Sequence, residues 1–247
     1  MTFGSLFAGI GGMDLGLERA GLRCQWQVEI DGYARSVLAK HGPDVWRWDD
    51  VRTFPDEPLG RRAVDLICGG FPCQDISRAG SKDGITGSKS SLWGEFARII
   101  RNLRPRFVLV ENSADLLVRG IDRVLGDLAS LGFDAEWSVV SACSVGAPHT
   151  RERVFIVAHA DGSGFQNRWA ESLEALAAGG GKGQAAGDVL STASDAGGGG
   201  RWAVCPTESG VGRVADGVPS RVDRLGRLGN AVVPQVAEWI GRRLMKV

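Results

Sequence analysis

The stretch AVDLICGGFPCQ, residues 63–74, joins a nearly continuous apolar run to a glycine turn. Such a run suits a strand covered on both faces, as in a parallel sheet. In open α/β sheets, ligands meet the carboxyl ends of the strands. The run therefore delivers Phe71, Pro72 and Cys73 to the edge where chemistry takes place. Pro72 fixes φ and has no N–H, so it stiffens the loop that aims the thiol. Cys68 lies inside the run and reads as packing. Cys73 lies beyond it and reads as a nucleophile, with simple packing as the alternative. A free thiol, with a pKa of about 8.5, is only a few per cent thiolate at neutral pH, so it needs activation by its surroundings or its substrate.

Strand and helix signals alternate on both sides of this stretch. TFGSLFAG (2–9), CQWQVEI (24–30), RFVLVEN (106–112), AEWSVVSA (135–142) and RVFIVA (153–158) read as further strands. GGMDLGLERAG (11–21) reads as a helix ended by Gly21, and DGYARSVLAKHG (31–42) as a helix with Asp31 at its N-cap. SLWGEFARIIRNLRP (91–105) places Leu92, Phe96, Ile99, Ile100 and Leu103 on one helical face, with Pro105 as its stop. IDRVLGDLASLGF (121–133) repeats that periodicity. This alternation predicts a doubly wound α/β sheet over residues 1–159.

The pattern breaks near Ala160. Residues 160–220 are rich in Gly, Ala, Ser and Asp, including AAGGGKGQAAGD and DAGGGGRW. Such sequence buries little apolar surface and is expensive to order, so it reads as a loop-rich insert or small lobe. Order resumes over 221–247, where Val233, Val236, Ala237, Ile240 and Leu244 form a final amphipathic helix with Pro234 near its first turn.

The 247 residues suit one domain plus a small appendage. Formal net charge is zero, so no global basic field announces a nucleic-acid partner. Residues 201–247 nevertheless carry eight basic against four acidic side chains, a local excess that can meet phosphate or remain solvated charge. The five cysteines form no Cys-x-x-Cys pair, and with three histidines they show no zinc-ligand spacing. The N-terminus lacks a basic and apolar leader, and no apolar run approaches the ~18 residues of a membrane span. These features read as a reduced, cytoplasmic protein with free thiols, no metal and no membrane segment.

Four further features carry chemistry. SLFAGIGGMDLG (5–16) is a strand, a glycine turn and a helix, where backbone can approach a ligand and helix N–H groups are free. Read from Gly9, a dinucleotide fingerprint would need glycine where Asp14 stands, which argues against NAD. Glu29, roughly twenty residues on, can take ribose hydroxyls. Asp50 follows the next extended stretch and can accept from an adenine amino group. Together these suggest an adenosine-bearing cofactor without a pyrophosphate, against the alternative of a tight turn beside solvated carboxylates. Glu111 and Asn112 end RFVLVEN at the same sheet edge. A carboxyl buried there has a raised pKa and can serve as an acid near neutrality, or can simply cap a turn. Arg151 and Arg153, at spacing two, point the same way on an extended segment and suit a phosphate or a polar ring oxygen, or surface charge.

FAGIGG, GGFPCQDIS, VLVENSADLL, PHTRERVFIVA and RLGNAVVP occur in the order found in DNA (cytosine-5)-methyltransferases, the bacterial and phage modification enzymes. The resemblance covers residues 1–160 and about 220–247. It implies a Rossmann-like, S-adenosylmethionine-dependent methyltransferase fold with a small target-recognition lobe at 160–220 and a C-terminal segment that returns to the catalytic domain.

The same resemblance implies residue roles. Phe7, Gly9, Gly11, Glu29, Ile30, Asp50, Val51, Pro72, Leu92 and Asn230 would line the S-adenosylmethionine site. Cys73 would attack carbon 6 of a cytosine flipped from double-stranded DNA. Glu111 would hold and protonate nitrogen 3. Arg153 would bind the ring carbonyl, and Arg151 the target phosphate. Residues 77–91 look like a mobile loop that closes over DNA, with Ser77, Lys82 and Lys89 meeting phosphate. Arg168 and Arg201, each beside a tryptophan, are the candidate contacts of the recognition lobe. The expected protein is a monomer, with a partner protein for DNA recognition as an open option. A low-turnover DNA-binding protein and an RNA cytosine methyltransferase are the competing readings. Two positions depart from the family pattern: Ser113 replaces the valine of E-N-V, and His149 replaces the glutamine that opens Q-x-R-x-R.

Overall fold

The computed structural model describes residues 1–55, 63–72, 92–147, 149–160 and 231–246. In chain order the elements are β1 (Thr2–Leu6), α1 (Gly12–Arg19), β2 (Arg23–Val28), α2 (Gly32–His41), β3 (Trp46–Trp48), β4 (Leu66–Gly69), α3 (Leu92–Leu103), β5 (Phe107–Ser113), α4 (Leu116–Arg119), α5 (Ile121–Ser130), β6 (Asp134–Ser141), β7 (Glu152–His159) and α6 (Pro234–Leu244). Short 3-10 turns lie at Val51–Thr53 and Ala142–Val145.

The strands form one sheet in the order β3-β2-β1-β4-β5-β7-β6. The pairings from β3 through β5 are parallel. β7 runs antiparallel to both β5 and β6. The α/β, Rossmann-like class expected from the sequence is the fold observed. Its antiparallel end differs from a purely parallel winding for a local reason. The segment between β6 and β7 contains only a 3-10 turn, and a parallel return would need a crossover of a dozen or more residues. β5 also runs through Ser113, one residue past the expected end, because Glu111, Asn112 and Ser113 keep partners on β7.

Both faces of the central strands are buried. Ile67, Val108, Val110, Val154 and Ile156 meet Trp93, Phe96 and Ile100 of α3 and Val124 and Leu128 of α5 in one apolar cluster. Phe3, Leu66, Cys68, Phe107, Leu109, Phe155 and Val157 point the other way, onto Met13 and Leu17 of α1 and Val236, Ile240 and Leu244 of α6. Period-two alternation in the strands thus feeds two cores, the signature of helices on both sides of a sheet. α1 and α6 pack so closely that a Cβ at Gly16 would lie 2.2 Å from the carbonyl oxygen of Pro234. Asp31 caps α2 by accepting from Ala34 N at 2.8 Å, as its sequence position predicts. Among the described residues no helix is long and apolar enough to cross a membrane.

Cys24 and Cys68 are free and buried, whereas Cys143 is disulfide-bonded. This corrects the expectation of free thiols throughout. Cys143 sits half-buried on the 3-10 turn after β6 and outside the two apolar clusters, where its sulfur can reach a partner.

Candidate active site

The carboxyl ends of β1, β2, β4 and β5 share one sheet edge. β7 runs the opposite way, so its first residues reach that same edge. Ser113 pairs with Arg153, and Glu111 with Phe155. A cleft of about 750 Å³ opens there. Of the sequence-predicted residues, Phe7, Gly9, Glu29, Ile30, Asp50, Val51, Pro72, Leu92, Glu111, Arg151 and Arg153 all line it.

One half of the cleft is built by the glycine turn after β1. Gly9 has φ +56° and Gly11 φ +85°, values that side chains with a Cβ rarely adopt. Phe7 is held at φ 54°, an unfavourable conformation for a bulky residue and one that tends to cluster at ligand sites. Glu29 extends from the end of β2 and accepts from Gly9 N at 2.7 Å and from Asp31 N at 2.8 Å. Its carboxylate therefore fixes the turn's approach to β2. Ile30 stands 66% exposed at the rim, an apolar surface positioned to cover a ring.

Asp50 caps the 3-10 turn by accepting from Arg52 N at 3.0 Å, and the Arg52 guanidinium lies 2.5 Å from its carboxylate. Hydrogen bonds from Arg52 hold the Asp50 carboxyl below its usual range. This half also presents Asp31 and Asp49. Several carboxylates repel a pyrophosphate but suit hydroxyls, an amino group and a cationic sulfonium. This set of acceptors therefore fits S-adenosylmethionine better than a dinucleotide.

The other half holds the candidate acid. Glu111 is 7% exposed, and Arg153 Nε lies 3.1 Å from its Oε1. Glu111 and Arg153 are diagonal neighbours across β5 and β7 on one face of the sheet, close enough for long side chains to meet. Burial pushes the Glu111 carboxyl upward, and the positive charges of Arg153 and then Arg151 oppose that shift. Gly70 leaves room for this position of the acid, because a Cβ on it would lie 2.5 Å from Glu111 Oε2 and would push the carboxyl aside. Next to Glu111, buried Asn112 donates from Nδ2 to the Phe71 carbonyl at 3.1 Å. That bond ties β5 to the loop leading from β4 toward position 73.

The sequence pattern assigned no role to Gly70, Asn112 or Asp49. Asn112 had a visible signal, an amide at a strand end directly beside a candidate acid. Beneath the cleft lies a buried cluster that pattern reading also missed. Asp14 accepts from Ser5 Oγ at 2.6 Å and from Gln27 Nε2 at 2.7 Å, and only Ser5 of the three lines the cleft. Gly11 is not on the cleft wall; it turns the chain into α1 as its N-cap. Cys73, Ser77, Lys82, Lys89, Arg168, Arg201 and Asn230, with most of the expected lobe at 160–220, lie outside the described residues. Among the described residues no group of three or more His, Cys, Asp or Glu side chains is placed to hold a metal ion.

Residues 1–178 match the family described as C-5 cytosine-specific DNA methylase. The chain belongs to that family. It is 36% identical over 162 residues to the type II methyltransferase M2.BsuMI of Bacillus subtilis, covering 62% of this chain and 41% of that one. It is 38% identical over 162 residues to M.Eco47II of Escherichia coli, covering 62% and 38%. Among solved structures it resembles a prophage-encoded E. coli protein described as a DNA modification methyltransferase. There the TM-score is 0.55 and identity 27%, over 64% of this chain and 46% of that one. This methylase-family chain thus spans less than half the length of these relatives.

Proposed function

We propose that the chain methylates carbon 5 of cytosine in double-stranded DNA, through a covalent Cys73 adduct on a flipped base. The observation that carries this reading is one cleft with two chemically distinct halves. A glycine turn fixed by Glu29 faces a buried carboxyl paired with a guanidinium. S-adenosylmethionine, when bound, supplies a methyl group on a positively charged sulfur.

The chain's own residues supply the rest. The Cys73 thiolate adds to carbon 6 of the ring. Glu111 hydrogen-bonds and protonates nitrogen 3, so the ring electrons are directed to carbon 5. Arg153 holds the ring carbonyl, and Arg151 the target phosphate. Phe7, Glu29, Ile30 and Asp50 would hold S-adenosylmethionine so that its methyl group could pass to carbon 5, the sulfur keeping the electron pair of the broken bond as a neutral thioether. A base then removes the proton from carbon 5, the Cys73–carbon 6 bond breaks with its electron pair returning to sulfur, and nitrogen 3 gives its proton back to Glu111, which restores the neutral ring and the acid. Pairing with Arg153 gives Glu111 a fixed orientation, and burial favours the protonated form that can donate.

The cofactor half is served by Phe7, Gly9, Glu29, Ile30, Asp50, Val51, Pro72 and Leu92, with Asn230 assigned by family resemblance. Ser77, Lys82, Lys89, Arg168 and Arg201 are the proposed phosphate and DNA contacts. Incubation with labelled S-adenosylmethionine and mixed-sequence duplex DNA, followed by base mapping, tests the proposal. Label on cytosine carbon 5 is expected. Label in transfer RNA with none in DNA would overturn it.

A further inference from the structure

We propose that Arg98 is a positioning residue that sets the cofactor slot between Val51 and Leu92. This rests on the cofactor assignment above and adds a residue outside the cleft to it. Arg98 lies on α3, the helix whose first residue, Leu92, lines the cleft. From that helix its NH2 donates to the Val51 carbonyl at 3.0 Å and its NH1 to the Phe54 carbonyl at 3.2 Å. Its Nε donates to Glu95 Oε2 at 2.7 Å, an ion pair one helical turn back. The guanidinium therefore spans both ends of the 3-10 turn whose residues Asp50, Val51 and Arg52 form one wall of the cleft.

The geometry makes one rigid unit from two walls. Leu92 enters the cleft at the start of α3, and Arg98 ties the opposing turn to the same helix two turns later. A planar fork spreads its five N–H donors over three nitrogens and can hold two carbonyls and a carboxylate at separate points, whereas the three donors of a lysine all sit on one nitrogen. The turn has a second, independent anchor. Phe54 is 2% exposed and packs against Trp26 with ring centroids 4.9 Å apart. Loss of Arg98 should therefore leave the turn attached, with the Val51 carbonyl held only by Phe54 N at 3.3 Å and not tied to α3, so the Val51 wall drifts relative to Leu92. The slot widens, and a planar purine loses contact on one face.

Calorimetry with S-adenosylhomocysteine on the full chain, with no DNA present, reads this directly. Arg98→Met keeps the apolar stem and removes the donors. Its affinity should fall about tenfold, equivalent to about 1.4 kcal/mol. Arg98→Lys should fall between wild type and Arg98→Met. Glu95→Gln, which only loosens the guanidinium's orientation, should weaken binding by less. In methylation assays KM for S-adenosylmethionine should rise while kcat at saturating cofactor stays near wild type. Unchanged affinity in Arg98→Met, or a fall in thermal stability and kcat with affinity intact, would overturn the proposal. If Arg98→Met does not fold, wild-type affinity in both Arg98→Lys and Glu95→Gln would overturn it as well. A wild-type protein that fails to bind S-adenosylhomocysteine would instead remove the cofactor assignment itself.

Discussion

Glu111 and Asp14 are both buried beside the cleft, and what surrounds each separates their roles. Glu111 is 7% exposed and lines the cleft, with a guanidinium 3.1 Å away. Asp14 is 3% exposed and lies under the floor, satisfied by a hydroxyl and an amide. Burial raises the pKa of both. At Glu111 two cations oppose the rise. At Asp14 no cation opposes it, only the neutral donors Ser5 and Gln27 and a backbone N–H; Glu18 adds repulsion, and the value is pushed up to about 6. A raised pKa alone therefore does not mark a catalytic group. What distinguishes Glu111 is access to the cleft and a charged partner that orients it.

Glu111→Gln should break this comparison most severely. It keeps the shape and removes the acid, so methyl transfer should fall by about 10²–10⁴-fold with the fold intact. Circular dichroism and a methylation assay on one preparation check it. A variant with near wild-type turnover would leave Glu111 with no more role than Asp14.

Asp14→Asn should act on stability rather than chemistry. The Asp14 carboxyl titrates at about 6 when folded against an ordinary value of 3.8. It therefore favours the folded state only while protonated. That advantage is full below about pH 4 and is lost as pH rises through about 6. The difference of two units corresponds to about 3 kcal/mol. Denaturant titrations from pH 4 to 8 should show wild-type stability falling relative to Asp14→Asn by about that amount. An asparagine amide can donate to Gln27 Oε1, which is buried without a partner among the described residues, in place of the bond that Gln27 Nε2 now gives Asp14. Parallel pH curves would show that the carboxyl does not titrate between the two states.

Asn112→Ala sharpens the Glu111 side. It removes the buried hydrogen bond to the Phe71 carbonyl and should cost about 1–3 kcal/mol. The loss should appear in kcat more than in cofactor affinity, because the tie leads toward position 73. Equal loss in both would make Asn112 a general packing residue. Arg52→Ala should give the smallest effect. The Asp50–Arg52 pair is largely solvent-facing on the arginine side, 62% exposed, and exposed pairs contribute little. Affinity for S-adenosylhomocysteine should stay within about threefold of wild type. A tenfold change would mean that Arg52 controls access to the Asp50 carboxylate.

The sequence made the winding of the sheet and the edge that bears the cleft legible, because both depend on local features. Apolar runs, glycine turns and strand-end charges single out Glu29, Glu111 and Arg153 without knowledge of distant contacts, whereas Phe7 was named through the family resemblance. The antiparallel seating of β7 was not legible, since it follows from the short link after β6 rather than from the strand's own residues. The Ser5–Asp14–Gln27 cluster joins β1, α1 and β2, and the Arg98 fork joins α3 to a turn more than forty positions earlier. Neither leaves a periodic trace. Asp14 was visible only as a missing glycine, and its position beneath the floor keeps it off the cleft wall.

Duplex DNA carrying 5-fluorocytosine at the target base tests the central claim most directly, because fluorine at carbon 5 blocks the final proton loss. Incubated with S-adenosylmethionine, the protein should form a covalent adduct that mass spectrometry maps to Cys73, and Cys73→Ala should form none. An adduct that persists in Cys73→Ala, or 5-methylcytosine produced by that variant on ordinary DNA, would contradict it.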